Sequence, residues 1–219
     1  MRLRGVSHQY RRRGLLTQPL RGVDLDVPAG VAVGVSGPSG TGKSTLLRIA
    51  AGIERPSAGT VDFGEGLSLP LPPGYVMTID QNPLGSLDPR WSIRRTLGEP
   101  LLVRRPRLDR PGRHQLASSQ LDSVGLGQLS GGERPGRLSI GQCQRIAVLR
   151  ALAAHPTLIV ADEPTSALDV MSALSVVTLL RSAVDAGAAL LVVSHDRNLL
   201  GALCDTTLNL DGGILTNNG

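Results

Sequence analysis

The segment 37–45 has the residue types and spacing of a phosphate-binding loop, G-x-x-x-x-G-K-[ST]. It follows the apolar run 31–35 and precedes the helix-like residues 46–51, which is the strand, loop and helix context that such a loop requires. Its glycines let backbone N–H groups surround an anion, while Lys43 can reach β- and γ-phosphates and the Ser44 hydroxyl can ligate Mg²⁺. The sequence therefore predicts a phosphate and Mg²⁺ site here. The nucleotide-contacting residues of this loop would be Gly37, Pro38, Ser39, Gly40, Thr41, Gly42, Lys43, Ser44 and Thr45.

Lys43 is the only lysine in the chain, and all other members of the 23 Lys and Arg residues are arginine. The sequence therefore uses arginine wherever a general positive charge is sufficient. It retains lysine at the one place where a compact ammonium group on a flexible stem is useful. This distribution favours a chemical role for Lys43 over a purely structural one.

Two acidic residues follow a second apolar run, where a buried strand would end. Residues 157–161 lead directly into Asp162 and Glu163. A parallel strand that is buried on both faces has such a continuous apolar sequence, and it delivers functional groups to the carboxyl edge of its sheet. We predict that Asp162 holds Mg²⁺ through water and that Glu163 polarises the attacking water.

Three further side chains have types that suit a nucleotide site. His195 follows the predicted strand 189–194, so its imidazole could bond the γ-phosphate. Gln81 follows the predicted strand 75–80, and its neutral amide could orient water or contact Mg²⁺. Tyr10 could stack on a purine or simply pack against its neighbours, and the sequence leaves both alternatives open.

The composition favours a single α/β domain. A chain of 219 residues can bury one core, and its 2% aromatic content implies an aliphatic core of the kind found in parallel sheets covered by helices. Cys143 and Cys204 form no C-x-x-C motif, so we expect neither a disulfide framework nor a zinc site. We expect a soluble chain, because no stretch approaches the roughly 20 apolar residues of a membrane span. The net charge of +5 does not by itself identify a nucleic-acid or membrane partner.

The N-terminal residues predict two antiparallel strands, 2–10 and 20–27, joined by the basic loop 11–14. After them, apolar runs of strand length alternate with helical patterns, which is typical of a parallel sheet with helical connections. The other predicted elements are helices 43–51, 139–154, 170–186 and 198–204, and strands 59–63, 75–80, 157–161 and 189–194.

Residues 82–128 differ in character from the rest of the chain. They are rich in arginine, contain Pro and Gly breaks and lack a buried strand pattern, so we interpret them as a helical insertion with a solvated or partner-facing surface. We accordingly predict one domain, with a nucleotide-binding core of residues 1–81 and 157–219 and a helical subdomain of about 82–156. The surface arginines of the insertion would be Arg90, Arg94, Arg95, Arg104, Arg105, Arg107, Arg110 and Arg113.

In this order along the chain, the phosphate-binding loop, Gln81, the acidic strand end and His195 resemble the nucleotide-binding subunits of ABC transporters. The resemblance covers nearly the whole length. It implies an α/β P-loop NTPase of the ABC ATPase type, with a mostly parallel sheet, an N-terminal antiparallel β subdomain and an inserted helical subdomain, that hydrolyses ATP with Mg²⁺. It also implies that Tyr10 stacks on adenine, that Gln81 belongs to the Q-loop, that 166–169 is the D-loop and that His195 is the switch histidine.

The same resemblance implies that two subunits close head to tail around ATP, each nucleotide lying between one P-loop and the other subunit's signature motif. Two segments here are similar to that motif, L-S-G-G-Q: 129–133 and 138–142. The family places the motif directly before the helix that leads to the acidic strand, which favours 138–142, and Pro135 would prevent a helix from continuing out of the earlier copy. We predict that the residues contacting the other subunit's ATP are Ser139, Gly141 and Gln142.

Ile140 replaces the first glycine of the signature motif. If that glycine is needed for a positive φ, a β-branched residue would cost about 1–3 kcal/mol, and its bulk lies where backbone should approach a phosphate. We therefore expect a weakened signature, with slower turnover of the ATP bound to the partner's P-loop.

The segments 81–90 and 97–101 resemble the dipeptide, oligopeptide and nickel importers within the family. This resemblance implies a subunit on the cytoplasmic side of the membrane that powers uptake of a peptide, opine-like or metal-chelate solute. The implied partners are a second, non-identical ATPase subunit, two transmembrane permeases and an extracytoplasmic solute-binding protein, with no nucleic acid. Two alternatives are a non-transport ABC ATPase acting on nucleic acid or ribosomes, and a weakly active regulatory subunit.

Overall fold

The computed structural model describes residues 1–12, 15–64, 66–104 and 107–217. Within these ranges nine strands form two sheets, a six-stranded sheet and a three-stranded sheet, and seven α-helices surround them. The helices are α1 (Lys43–Ala50), α2 (Pro83–Ser86), α3 (Ile93–Arg104), α4 (Arg110–Ser123), α5 (Ile140–Ala153), α6 (Val170–Asp185) and α7 (Arg197–Leu203).

The larger sheet has the strand order β5-β6-β7-β3-β8-β9, and every pairing is parallel except the last. This arrangement confirms the mostly parallel sheet that the apolar runs predict. The phosphate-binding loop, the acidic pair and His195 each lie at the end of one of three neighbouring parallel strands. The carboxyl ends of these strands therefore meet at one edge of the sheet. The strands are β3 (Ala32–Ser36), β5 (Val76–Ile79), β6 (Leu158–Asp162), β7 (Ala189–Val193), β8 (Thr206–Asp211) and β9 (Ile214–Asn217).

Alternate residues of the central strands pack on opposite faces of this sheet. Val33, Val160 and Leu191 belong to an apolar cluster with α1 and the smaller sheet. Their neighbours, including Ile159 and Leu190, belong to a second cluster with α5, α6 and α7. Both faces are therefore covered, which is why these strands are continuously apolar.

The smaller sheet is antiparallel, with the order β2-β1-β4, and consists of β1 (Arg2–Arg12), β2 (Leu15–Asp26) and β4 (Ala58–Asp62). The prediction of an 11–14 loop was too long: the strand pair extends to Arg12 and Leu15, since Arg12 still pairs with Leu15. Residues 13 and 14 lie outside the described residues. The antiparallel β region at the N-terminus is thus confirmed, with longer strands than expected.

Between β5 and β6 the described residues form helices rather than sheet strands, as the sequence predicts. Helices α3, α4 and α5 share an apolar cluster of their own that includes Leu97, Leu121 and Ile146. Pro100 lies inside α3 without ending it, and residues of α3 before it, Ile93 and Leu97, pack into this cluster. Cys143 is buried in the same cluster, as expected of a small core residue.

The hairpin of β8 and β9 is a structural feature that our sequence analysis did not predict. Its turn, Asp211-Gly212-Gly213, has residues that favour tight hairpins, and both glycines have positive φ. Strand β8 pairs in parallel with β3 and so completes the sheet beside the phosphate-binding loop. Among the described residues, no helix combines the length and the apolar character needed to cross a membrane.

Candidate nucleotide site

At two positions of the phosphate-binding loop, only glycine fits both the backbone conformation and the available space. Gly37 has φ 147° and Gly42 has φ 105°. A Cβ atom at Gly37 would lie 2.2 Å from the carbonyl oxygen of Leu210 on β8, and one at Gly42 would lie 2.3 Å from that of Pro19 on β2. The loop is therefore held between the two sheets, and larger residues at these positions would displace it.

The Lys43 ammonium group folds back over the loop. Its Nζ donates hydrogen bonds to the carbonyl oxygens of Gly37 at 2.8 Å and Pro38 at 2.7 Å. An ammonium group has three N–H donors, so a third can point toward an anion held by the loop. The helix α1 begins at Lys43, and its first turn presents unpaired backbone N–H groups on the same side.

Ser44 and Asp162 lie next to each other, although they are far apart in the sequence. The Ser44 hydroxyl donates to Asp162 Oδ2 at 3.1 Å. Burial raises the pKa of the Asp162 carboxyl, the hydroxyl of Ser44 opposes this, and the charge of Glu163 adds to it. A divalent cation would offset the cost of ionising this half-buried acid, and two converging oxygen ligands are of the type that Mg²⁺ prefers. The pair therefore fits the predicted Mg²⁺ site.

Glu163 is the most constrained side chain of the site. It is 8% exposed and has φ 47°, a left-handed conformation that costs a non-glycine residue about 1–3 kcal/mol. Its Oε1 accepts from the His195 backbone N–H at 2.9 Å and lies 2.7 Å from His195 Nδ1, while Oε2 accepts from the Ser194 hydroxyl at 2.8 Å. The carboxylate is thus fixed beside His195 at the edge of the sheet.

The contact with Glu163 also defines the tautomer of His195. A carboxylate only accepts hydrogen bonds, so Nδ1 must carry the proton that lies between the two groups. The His195 side chain is 75% exposed, so its other nitrogen, Nε2, faces away from the core. A neutral ring would accept at Nε2, and a doubly protonated ring would donate there to a phosphate.

Tyr10 is tied to the helix that follows the phosphate-binding loop. Its hydroxyl donates to Glu54 Oε2 at 2.8 Å, accepts from Arg48 Nη2 at 3.2 Å and lies 3.4 Å from Thr45 Oγ1. The ring of His8 meets it edge-on at 4.6 Å. These contacts place Tyr10 beside the loop and show why it packs there. Adenine stacking by Tyr10 stays a prediction.

Gln81 is not brought into this group. It lies two residues beyond β5, is exposed, and its side chain has no hydrogen bond within the described part of the chain. Asp80, its neighbour, lines a pocket of about 100 Å³ together with Ser44 and Asp162. Asp80 was not predicted from the sequence, although its position at the end of a parallel strand was a usable signal.

The helix after the signature motif begins where the second copy predicts. Ser139 is the N-cap of α5 and forms a reciprocal capping box with Gln142. A Cβ atom at Gly141 would lie 3.2 Å from the Ala167 carbonyl oxygen, so this glycine allows the D-loop segment to approach closely. The predicted contacts with another subunit's nucleotide stay predictions.

The first copy, 129–133, is a loop with a different structural role. The backbone N–H of Ile93 donates to Glu133 O at 2.9 Å, and that of Arg94 donates to Gly131 O at 2.8 Å. These carbonyls satisfy donors in the first turn of α3, which would otherwise be unpaired. The upstream copy is therefore a cap for α3, and the helix required of a signature motif follows the other copy.

A positive φ, the condition on which backbone strain at Ile140 depends, is not found in the structure. Ile140 is the first residue of α5 and is not one of the residues with positive φ, the only non-glycine examples in the described ranges being His155 and Glu163. A helix start has a negative φ that a β-branched residue adopts without strain. The Ile140 side chain is 56% exposed. Having isoleucine in place of the motif's glycine therefore changes the size of an exposed side chain and does not strain the backbone.

A glycine-dependent loop lies between a parallel strand and a helix, Ser44 and Asp162 are paired beside it, and a buried carboxylate lies next to a histidine. This combination defines a P-loop nucleoside triphosphatase. The profile of the ABC transporter family matches residues 20–166. The chain therefore belongs to the ABC transporter family, and it is an ATP-binding ATP hydrolase with the ABC ATPase fold.

Similar proteins include several ATP-binding import proteins. The nickel import ATP-binding protein NikE of Pseudomonas putida is 35% identical, over 95% of this chain and 81% of that protein. The methionine import ATP-binding protein MetN of Thermobifida fusca is 34% identical, over 96% of this chain and 66% of that protein. The dimeric ATP-binding cassette MJ0796, solved in a post-hydrolysis state with ADP and Pi, is 27% identical with a TM-score of 0.88 and covers 100% of this chain and 99% of that one.

Proposed function

We propose that Glu163 is the general base of ATP hydrolysis at this chain's own P-loop. The observation that supports this most directly is the position of its carboxylate, which is buried, fixed beside His195 and next in sequence to the acid paired with Ser44. In-line attack by water on the γ-phosphate needs a nearby proton acceptor and donors for the developing charge. Lys43 and the backbone N–H groups of the loop supply those donors.

Ser44 and Asp162 would hold Mg²⁺, which when bound would neutralise charge on the β- and γ-phosphates. His195, through Nε2, would contact the γ-phosphate, and Gln81 would join the site only when the nucleotide and partner are present. Tyr10 would stack on adenine, with its hydroxyl already fixed by Glu54. Ser139, Gly141 and Gln142 would contact the ATP bound to a second ATPase subunit.

We further propose that the chain powers an importer from the cytoplasmic face of the membrane. The support is the set of similar proteins, which are named as nickel import or methionine import ATP-binding proteins. The solute would be a metal chelate, a peptide or an opine-like compound. The partners would be a second, non-identical ATPase subunit, two permeases and a solute-binding protein. No observation favours the nucleic-acid alternative.

The basic surface of the helical region supports a protein partner with acidic groups. Trp91, Arg94, Arg110 and His114 line a groove of about 460 Å³ between α3 and α4. The Arg95 guanidinium stacks over the Trp91 ring at 4.2 Å. Such a groove suits a permease loop through charge complementarity.

Reconstitution tests the importer proposal. The chain, its partner ATPase and the permeases would be placed in proteoliposomes with the solute-binding protein loaded with a nickel chelate or with a peptide. We expect loaded binding protein to stimulate ATP hydrolysis and solute uptake together, because the two are coupled in an importer. A Lys43→Ala complex is the control, and hydrolysis without uptake of any solute tested would contradict the proposal.

Two substitutions at Ile140 test whether this residue weakens the signature motif. They separate the effect of side-chain size from that of backbone freedom at position 140. We expect Ile140→Gly, assembled with the partner subunit, to hydrolyse ATP faster, on the order of a few-fold, because the side chain lies where the partner's phosphates approach. Ile140→Ala removes all of the side chain beyond Cβ without adding the backbone freedom of glycine and should accelerate turnover to a similar extent. Unchanged rates in both variants would remove the case for a weakened signature.

A further inference from the structure

Ser194, the residue before His195, is buried at the meeting point of three strand ends. It is 1% exposed. Its backbone N–H donates to Val35 O at 3.2 Å, on the strand that leads into the phosphate-binding loop. Beside it, the backbone N–H of Glu163 donates to Val193 O at 2.9 Å. A group at Ser194 is therefore fixed relative to both the loop and Glu163.

The direction of the Ser194 hydrogen bonds follows from the groups around its hydroxyl. The Oγ atom lies 3.1 Å from the backbone N–H of Asp196, which can only donate, and 2.8 Å from Glu163 Oε2. A hydroxyl has one proton and can accept at the same time. Because Asp196 supplies a donor, the proton of Ser194 is left for the carboxylate of Glu163.

We propose that Ser194 is a positioning residue for ATP hydrolysis, holding the Glu163 carboxylate in one orientation by donating to Oε2. The inference rests on the proposed role of Glu163 as general base. Oε1 faces two donors of His195, and Oε2 accepts from Ser194 alone. Each carboxylate oxygen can accept about two hydrogen bonds, so these contacts fix the rotation of the carboxylate and leave one acceptor position, on Oε2, for a water molecule. A hydrogen bond to a carboxylate is stronger than one between neutral groups, so its loss has a large effect on geometry.

Substitutions that keep the size of Ser194 and change its donor strength test this role. Ser194→Ala removes the donor, and Ser194→Cys retains a weak one. In the assembled complex we expect kcat to fall on the order of tenfold to a hundredfold for alanine and less for cysteine. The KM for ATP should remain within about twofold of the wild-type value, since Ser194 does not bind the nucleotide.

The matched control is Thr96→Val, which removes another buried hydroxyl, one that is 1% exposed and donates to Ser92 O at 3.1 Å far from the loop. It should lower the melting temperature comparably and leave kcat unchanged. An unchanged kcat in both Ser194 variants, or an equal loss in Thr96→Val, would overturn the inference. If Ser194→Ala fails to fold, the cysteine variant alone decides between these outcomes.

A third variant separates this inference from the proposal it depends on. If Glu163→Gln retains normal turnover, the assignment of the base is wrong. If Glu163→Gln is inactive and the Ser194 variants have wild-type kcat, only the positioning role of Ser194 is wrong.

Discussion

Replacing Glu163 by glutamine should abolish ATP turnover while leaving ATP binding intact. The amide keeps the shape of the carboxylate but cannot accept a proton from water. General base catalysis typically contributes about 10²-fold to 10⁴-fold, so we expect kcat to fall within that range. Because the proposed contacts with ATP come from Lys43 and the loop backbone, which the substitution leaves intact, the affinity for ATP should be retained.

The same variant should accumulate as an ATP-bound, closed dimer with its partner subunit. Hydrolysis is the step that would release the two subunits, so blocking it traps the preceding state. Size-exclusion chromatography with and without ATP measures this trapping, and a phosphate-release assay measures turnover. Asp185→Asn, at an exposed ion pair with Arg181 on α6, is a control that should behave as wild type. Normal phosphate release by Glu163→Gln would contradict the assignment.

The sequence predicts the central sheet well because the pattern of each strand is determined by its own surroundings. Strands that are covered on both faces must be apolar throughout, and β6 and β7 are buried along nearly their whole length. Parallel strands also share one functional edge, so the sequence alone predicts that Asp162, Glu163 and His195 lie together.

The features that sequence analysis missed depend on pairing between distant residues. Leu210 approaches Gly37 because β8 joins the sheet beside β3, and a short strand with mixed burial has no distinct pattern of its own. Pro100 carries a helix-breaking signal that the packing of α3 overrides. The hydrogen bond from Ser194 to Glu163 cannot be predicted from the sequence either, since a serine next to a histidine has many possible partners.

The backbone conformation at Ile140 has a similar explanation. In the sequence, a glycine in a loop motif suggests a backbone conformation that other residues avoid. In the structure the motif is the start of α5, where a capping box between Ser139 and Gln142 defines the first turn. A glycine at position 140 would differ from isoleucine in its smaller size, because a positive φ is not required there.

The unique lysine allows a direct test of the phosphate-binding loop. Lys43→Arg retains the charge, but the flat guanidinium is larger than the ammonium group that bonds to the carbonyls of Gly37 and Pro38. We expect turnover to fall on the order of 100-fold or more, as for loss of one donor to a developing oxyanion. Arg181→Lys, the reverse exchange at an exposed ion pair, should leave turnover unchanged.

Amine labelling provides the complementary measurement on the unmodified chain. Lys43 and the amino group of Met1 are the only amines available to an acylating reagent. Burial lowers the pKa of the Met1 amino group, which donates to Val27 O at 3.0 Å, so Met1 serves as an internal reference outside the segment 37–45. ATP should protect Lys43 and leave the labelling of Met1 unchanged, because of these two amines only Lys43 belongs to the phosphate-binding loop. Equal labelling of Lys43 with and without saturating ATP would show that its ammonium group does not hold the nucleotide.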